Sequence, residues 1–462
     1  MSFDLAVLGA GPAGGHAAIE AARHGLSVAL IEDSAEAGGQ VWRAPAQGIA
    51  VATDADGRAG AALRADLATA PIERLFGSRV WLIGSDAEGW RLDLVRQGAA
   101  ETVRARALVL ATGAHERIMP FPGWTLPGVF GLAAATILLK SQGVLPGARV
   151  LVAGCGPLLA VVAAGIIKAG GNVVAVVDLA ARREWLAALP DLAVRPDLLA
   201  RGAGWLGRIA RAGVPVLSRH AVVGAEGDGC IARVQVAPVD DNGTPAAASR
   251  VFEVDALAVG HGLMPDTAAT RLLRATHRYD PDRGGWHAVR DDAMRSSVPG
   301  LWLAGESGGI GGAAVAELQG RIAGRAVAGA PYADLLPRLA RAERAGRAMA
   351  RMMRPRDGLL AGVTPETVVC RCEDVTRAEL DAAIDAGATE ANQLKQFTRC
   401  GMGPCQGRMC GEAASALLAA RVGGRAAAGL WTGRAPLRPV PMQALLGEFD
   451  YADIPIPPAA PP

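Results

Sequence analysis

The sequence predicts an α/β chain with two Rossmann-like dinucleotide-binding domains, followed by a small, mostly α C-terminal domain. Three observations carry this expectation. Gly9-Ala10-Gly11-Pro12-Ala13-Gly14 sits between an apolar strand run and a helical one, and Gly154-Cys155-Gly156-Pro157-Leu158-Leu159 repeats the arrangement. Five of the seven cysteines then fall between Cys370 and Cys410.

Composition narrows the class. A length of 462 residues leaves room for two to four domains. With 51% hydrophobic and 20% charged residues the chain is not disordered. Aromatics are only 4% beside 59 Gly and 29 Pro, so small apolar side chains and tight turns dominate. The balance of 47 basic and 45 acidic residues offers no field for nucleic acid. Lysine occurs only at 140, 168 and 395, which reads as genomic bias. There is no transmembrane segment, since no stretch reaches the ~18–20 apolar residues of a span. Pro157–Ile167 stops at Lys168 and reads as a buried helix. Met1-Ser2-Phe3-Asp4 lacks the basic start of a signal peptide. A cytoplasmic location is expected, peripheral to the inner face of the membrane only through partners.

The first unit runs as strand Asp4–Leu8, helix Ala13–Arg23 and strand Ser27–Ile31 ending in Glu32, an acid 18 residues beyond Gly14. Gly9 permits the tight turn, Gly11 lets the backbone approach a pyrophosphate, and Gly14 lets helix and strand pack. The helix N-terminus faces the anion and Glu32 suits ribose hydroxyls. Later come Gly38-Gly39-Gln40-Val41-Trp42-Arg43, a strand Ala107–Leu110 entering Ala111-Thr112-Gly113, and Val298–Glu306 with a glycine-rich helix start at Gly308–Gly312. Together these resemble the two-dinucleotide-domain flavoproteins, which include the glutathione-reductase-like enzymes. The resemblance implies FAD, held by Gly9, Gly11, Pro12, Ala13, Gly14, Glu32, Asp33, Gly39, Gln40, Arg43, Val80, Ala111, Thr112, Gly113, Gly305, Glu306 and Gly312. Glu306 stands where that family usually has Asp.

The second unit runs as strand Arg149–Ala153, a helix, and strand Asn172–Val177 ending in Asp178. Leu159 occupies the position of the close-packing glycine. Two readings stay open: a nicotinamide site, or an inherited fold that no longer takes one. Asp178 disfavours a 2′-phosphate and so favours NAD over NADP. No cysteine pair lies in Gly38–Arg43, and Cys155 has no CxxC partner, which excludes a thiol–disulfide enzyme. Cys155 and Cys230 read as small buried residues.

The Arg-rich segment Leu336–Arg356 reads as a solvated helix linking two units. Val368-Val369-Cys370-Arg371-Cys372-Glu373-Asp374-Val375-Thr376 follows, then a helix of roughly ten residues whose Thr376 and Glu379 form a capping box. Thr398-Arg399-Cys400-Gly401-Met402-Gly403-Pro404-Cys405-Gln406-Gly407-Arg408-Met409-Cys410 closes the set. An odd cysteine count in a reducing compartment argues against disulfides. Four converging thiolates imply zinc or an iron–sulfur cluster, and the CxC pair leans away from structural zinc. The segment resembles the bacterioferritin-associated-ferredoxin-like 2Fe–2S domain. Its Thr-Arg-x-Gly-Met-Gly-Pro-Cys-Gln-Gly-x-x-Cys form is similar to the FAD subunits of glycerol-3-phosphate, opine, hydroxyproline and cyanide-forming glycine dehydrogenases. The resemblance implies cluster ligands Cys370, Cys372, Cys405 and Cys410. Cys400 stands where that group has Ala and is left as a spare thiol, with its exchange for Cys410 as ligand still open.

Ala114-His115-Glu116-Arg117, Pro120-Phe121-Pro122-Gly123-Trp124 and Arg434-Ala435-Pro436-Leu437-Arg438-Pro439 extend the likeness over nearly the whole chain. It is strongest to the FAD-containing α subunit of heteromeric dye-linked amino-acid dehydrogenases. That resemblance implies an oxidoreductase acting on CH–NH bonds, of D-hydroxyproline, proline, opine or glycine type. In such complexes a partner β subunit with its own flavin oxidises the substrate, and this chain transfers the electrons. The family admits an FMN at an interface between subunits and a small ferredoxin-like γ subunit. Expected domains are 1–120 with 255–330 for FAD, an inserted NAD-like domain at 121–254, a helical linker at 331–365, the cluster domain at 366–425 and an extension at 426–462. His115 and His261 are the best candidates for a base, and each reads rather as structural or flavin-adjacent. Arg43 and Arg117 are candidates to neutralise a reduced flavin or a phosphate. A self-contained NADH-dependent reductase is the alternative, and a scaffold carrying ADP or ATP is a third reading. The Pro-rich Ile454–Pro462 reads as a tail or partner contact.

Overall fold

The computed structural model of the chain describes residues 2–51, 54–354 and 356–446. The Pro-rich tail at 454–462 lies outside the described residues.

The first layer is a seven-stranded sheet. It is built from β1 (Ser2–Leu8), β2 (Val28–Glu32), β3 (Ile72–Phe76), β4 (Ser78–Asp86), β5 (Gly89–Arg96) and β6 (Ala99–Leu110) in the order β3-β2-β1-β6-β5-β4, with helices α1 (Pro12–Arg23) and α2 (Ala55–Thr69) as crossovers. Leu5, Ala6 and Val7 are fully buried, the continuous apolar run expected of a parallel strand covered on both faces. The long β6 serves two neighbours: residues 99–105 pair antiparallel with β5, while 108–110 take a late strand, Leu301–Leu303.

The chain leaves through β7 (Ala114–Glu116) and builds a five-stranded parallel sheet. Its elements are β8 (Val129–Gly131), α3 (Leu132–Ile137), β9 (Arg149–Gly154), α4 (Leu158–Lys168), β10 (Asn172–Asp178), α5 (Arg182–Leu192), α6 (Pro196–Arg211) and β11 (Val216–Ser218). A three-stranded antiparallel sheet, β12 (His220–Glu226), β13 (Arg233–Pro238) and β14 (Arg250–Glu253), precedes β15 (Ala256–Gly260). Because β15 pairs parallel with both β9 and β8, residues 256–260 belong to the inserted sheet. The return to the first domain, expected at 255, therefore falls later, where β16 (Leu263–Pro265) pairs antiparallel with β7.

After α7 (Ala268–Leu272), β17 (His277–Asp280) and β18 (Gly285–Ala288), strand β19 (Leu301–Leu303) leads to α8 (Ala313–Val327). α8 crosses α1 almost backbone to backbone: a Cβ on Gly320 would lie 2.0 Å from the Ala13 carbonyl oxygen, and one on Gly324 2.4 Å from that of Ala17. The next helix, α9 (Leu336–Arg351), is not the solvated connector the arginines suggest. Leu339, Ala342, Ala345, Ala348 and Ala350 are buried along it, a small-residue stripe at helical spacing. Several of its arginines are held by partners: Arg344 and Arg351 both pair with Asp191, and Arg341 donates to the Val194 carbonyl. Of the two cysteines expected to be buried, Cys155 is, whereas Cys230 is exposed in the loop between β12 and β13.

The C-terminal domain holds β20 (Val368–Cys370), β21 (Val375–Thr376), α10 (Arg377–Asp385), α11 (Ala391–Thr398) and α12 (Gly411–Val422). The capping box forms, with Glu379 Oε2 accepting from the Thr376 amide at 2.7 Å. Trp124 Nε1 donates to the Val368 carbonyl at 2.6 Å and fastens this domain to the inserted one.

Candidate cofactor sites

Each glycine of the first turn has a distinct job. Gly9 lies at φ +102°, and a Cβ there would lie 2.4 Å from the Ala111 carbonyl oxygen. A Cβ on Gly14 would reach 1.7 Å from the Gly9 oxygen, so helix and strand meet only because both are glycine. Gly11 differs: its Cβ would have nothing nearer than Gly39 Cα at 3.7 Å. No side chain caps α1, whose first turn opens at Pro12 and Ala13, so its amides are left for a ligand. Glu32 closes the turn by accepting from the Ala10 amide at 2.7 Å and the Ser34 amide at 2.9 Å.

Other predicted residues converge on this turn. Gly39 packs against Gly11, and Gln40 Oε1 accepts from Arg43 at 3.1 Å. Arg43 Nε is buried with no partner, a cationic donor aimed at nothing in the protein. Ala111 donates to Leu8, and Thr112 Oγ1 donates to the Asp266 carbonyl. Gly113 takes φ +75° and its carbonyl accepts from the Asp266 amide. At the end of β19, Gly305 lies at φ +75° and Glu306 is buried, which raises its pKa; it accepts from the Gly312 amide at 3.3 Å. α8 is also uncapped by any side chain, so two helix N-termini flank this cleft. A phosphate-bearing dinucleotide fits the room at Gly11, the free amides and the unpartnered Arg43 Nε. Asp33 and Val80 do not join the group: Asp33 pairs with Arg79 in solvent, and Val80 is buried among Ile31 and Leu75.

Two supporting residues have no local signal in the sequence. Gln319 accepts from the Gly305 amide at 3.0 Å. Arg290 donates to the Leu303 and Gly305 carbonyls, and burial brings its pKa down to about 10. Both brace the strand end that presents Glu306.

All five C-terminal thiols lie close together. The sulfurs of Cys370, Cys400 and Cys410 lie within 4.8 Å of one another, all buried. Cys405 lies beside Cys410 and Cys372, and the Cys400 and Cys410 thiols hold the pKa of Cys370 well down. The turn between them is tight: a Cβ on Gly403 would lie 2.3 Å from Cys372 Cβ. Cys400 is thus no peripheral thiol. It shares the nest with the four expected ligands, and soft sulfur donors at this density suit an iron–sulfur cluster.

A buried polar seam joins the two sites. Asp266, just after β16 and hydrogen-bonded to the Thr112–Gly113 turn, faces Arg408 of the cysteine loop at 4.0 Å and Arg438 at 3.6 Å. These cations, with His115, keep its carboxyl low despite burial. His115 has its Nδ1 buried and unpartnered, and its pKa is depressed by desolvation; His261 is pushed down to about 4 by burial and by Arg117. Neither ring is placed on an open surface where it could meet a substrate freely: His261 is buried and His115 is half-buried. Arg117 is fully buried rather than facing a ligand: it donates to the carbonyls of His261, Met353 and Gly284 and lies 3.6 Å from Glu412. Beside the cysteine turn, a cavity of about 680 Å³ is lined by Arg271, Lys395, Arg399 and Arg434 with Gly401, Met402 and Trp431. Burial and neighbouring cations lower the pKa of Lys395, and burial brings Arg271 down to about 10.

Residues 3–320 match the pyridine nucleotide-disulphide oxidoreductase family, and residues 368–420 match the BFD-like 2Fe–2S binding domain. The chain belongs to the pyridine nucleotide-disulphide oxidoreductase family. It is a flavoprotein oxidoreductase with FAD and 2Fe–2S sites. It is 35% identical to an opine oxidase subunit of Rhizobium meliloti, covering 95% of this chain and 97% of that one. It is 37% identical to hydrogen cyanide synthase subunit HcnB of Pseudomonas aeruginosa, over 96% and 98%. The L-proline dehydrogenase of P. horikoshii superposes with a TM-score of 0.72 at 23% identity, covering 97% of this chain and 80% of that one, a likeness of fold. Among the described residues, no helix is long and apolar enough to cross a membrane.

Proposed function

We propose that this family member is the electron-transfer subunit of a heteromeric amine or amino-acid dehydrogenase, whose substrate is oxidised on a partner β subunit. The substrate class is the D-hydroxyproline, proline, opine or glycine type. The observation that carries the reading is the shared wall: the Thr112–Gly113 turn and the Cys405–Cys410 loop meet through Asp266 and Arg408. When bound, FAD exchanges one or two electrons and a 2Fe–2S cluster exchanges one, so adjacent sites suit onward transfer.

The chain's residues have matching tasks. Gly11 and the α1 amides would seat the pyrophosphate, Glu32 the ribose, and Arg43 an anionic part of the flavin nucleotide. Cys370, Cys372, Cys405 and Cys410 would hold the cluster, and backbone amides of the Gly401–Gly407 turns would be the donors to its sulfurs. The cation-lined cavity beside that turn suits the phosphate of an FMN shared with the partner. A small ferredoxin-like γ subunit is a further partner. The thiol nest requires a reducing compartment, which supports a cytoplasmic location, with any membrane contact made through partners.

The test is a visible spectrum of anaerobically purified protein, titrated first with NADH and then dithionite. Flavin and broad iron–sulfur bands that dithionite bleaches and NADH leaves intact are the expected result. Bleaching by NADH alone would make the chain an autonomous reductase. Co-expression with a β subunit should add bleaching by the amino-acid substrate.

A further inference from the structure

The second glycine turn repeats the first in its folding geometry and departs from it where a ligand would approach. Gly154 lies at φ +130° with a virtual Cβ 1.7 Å from the Gly260 carbonyl oxygen, the counterpart of Gly9 against Ala111. At Gly156, the counterpart of Gly11, the approach is filled. A Cβ there would lie 2.5 Å from Met353 Cγ and 3.1 Å from its sulfur. We propose that the chain's own connector closes this second site, with Met353 standing where a pyrophosphate would reach Gly156. The protein is thereby barred from taking electrons from a nicotinamide dinucleotide or from carrying ATP there.

Met353 is fixed from several directions. Its carbonyl accepts from Arg117 at 2.7 Å, and a Cβ on Gly262 would lie 2.5 Å from its Cβ. α9 in front of it is pinned to α5 through Asp191, and Arg356 behind it pairs with Glu184 of α5. Cys155, Leu179, Ile310, Ala350 and Met353 form one buried apolar cluster over the turn. A diphosphate placed there would bury charge against apolar atoms, because Arg356 pairs with Glu184 and both Nη atoms of Arg117 donate to backbone carbonyls. The ribose position is closed too: Asp178 accepts from the Ala180 amide and from Trp185 Nε1, each at 2.9 Å. In the first turn the equivalent acid, Glu32, is met by backbone amides alone.

Closure of the second site is independent of the chain's place in a dehydrogenase complex, since it is compatible with any donor other than a nucleotide. The FAD-loaded full chain is followed by hydrogen–deuterium exchange at residues 154–159 and 350–354, with and without saturating NADH or ATP. The expected result is less than about a twofold change in either segment with either nucleotide. Met353→Ala should speed exchange at 154–156 about tenfold or more by uncovering the turn. Saturable protection of 154–159 by NADH or ATP in the unaltered protein would overturn the proposal. So would unchanged exchange at 154–156 in a folded M353A protein. If M353A does not fold, the titration of the unaltered chain decides alone.

Discussion

Two glycine turns in one chain, built on the same strand–turn–helix plan, separate what a dinucleotide fingerprint contributes to folding from what it contributes to binding. The first glycine is needed in both, because the turn passes directly under a neighbouring carbonyl, of Ala111 in one domain and Gly260 in the other. The second glycine is a binding requirement. Gly11 opens onto free space and uncapped helix amides, whereas Gly156 is spent on packing a methionine from nearly 200 residues away. The third glycine sets how closely helix and strand approach; Leu159 in its place is buried in the inserted domain's core. A fingerprint that keeps its first two glycines can therefore be sound as architecture and closed as a site.

Reversing the roles of the two turns should give the largest effect. Gly11→Val puts a side chain where Gly156 already meets one, and because Gly11 has room, the protein should fold while its FAD content drops more than about tenfold. Flavin absorbance per protein, checked against circular dichroism, reads this out. A retained flavin would mean that the first turn is not the pyrophosphate seat. The cysteine nest offers a parallel contrast. Cys410→Ser should remove nearly all cluster iron and acid-labile sulfide, and Cys400→Ser should retain most of it; the reverse result would exchange the two as ligands. Arg117→Ala leaves the His261, Met353 and Gly284 carbonyls without their donor, while Glu412 keeps Arg425 at 2.9 Å, and should cost about 3–5 kcal/mol in denaturant unfolding. Gly156→Ala should cost about 1–3 kcal/mol through Met353 and the positive φ while leaving FAD content unchanged.

A pH-dependent effect lies at the joint between the two dinucleotide folds. Glu116 accepts from the Leu132 and Ala133 amides at the start of α3, and burial raises its pKa from 4.5 to about 7. Between those values the folded chain keeps a proton that the unfolded chain releases, so stability falls as pH rises from about 4.5 to about 7. Glu116→Gln should flatten that part of a melting-temperature profile, and an unchanged slope would assign it to other groups.

Much of the fold and of the flavin site is legible because the sequence signals are local. The strand before Gly9, the helix after it and Glu32 lie within one short run, and so do the capping box at Thr376–Glu379 and the buried helix near Pro157–Ile167. What escapes a reading of the sequence depends on distant partners. Met353 over Gly156, Arg117 reaching Gly284 and Met353, and β15 joining the inserted sheet depend on pairings that no window around either partner contains. The connector α9 is instructive. Arginine frequency suggests a solvated helix, but the alanine stripe at helical spacing, also present in the sequence, is the better guide to burial. Gly320 and Gly324, four residues apart on α8, are a second available signal for close helix crossing.

The crossing of α1 by α8 also has a consequence for synthesis of the chain. The flavin cleft needs β19 and α8, some 300 residues after β1, whereas the inserted sheet is complete once β15 has emerged. On the ribosome the inserted domain can therefore assemble first, between the two halves of a domain that is still open. The cleft proposed for FAD is complete only after Val327 is made. Flavin loading is thus a late event, and a truncated nascent chain presents exposed strand edges at β6 instead of a cofactor site.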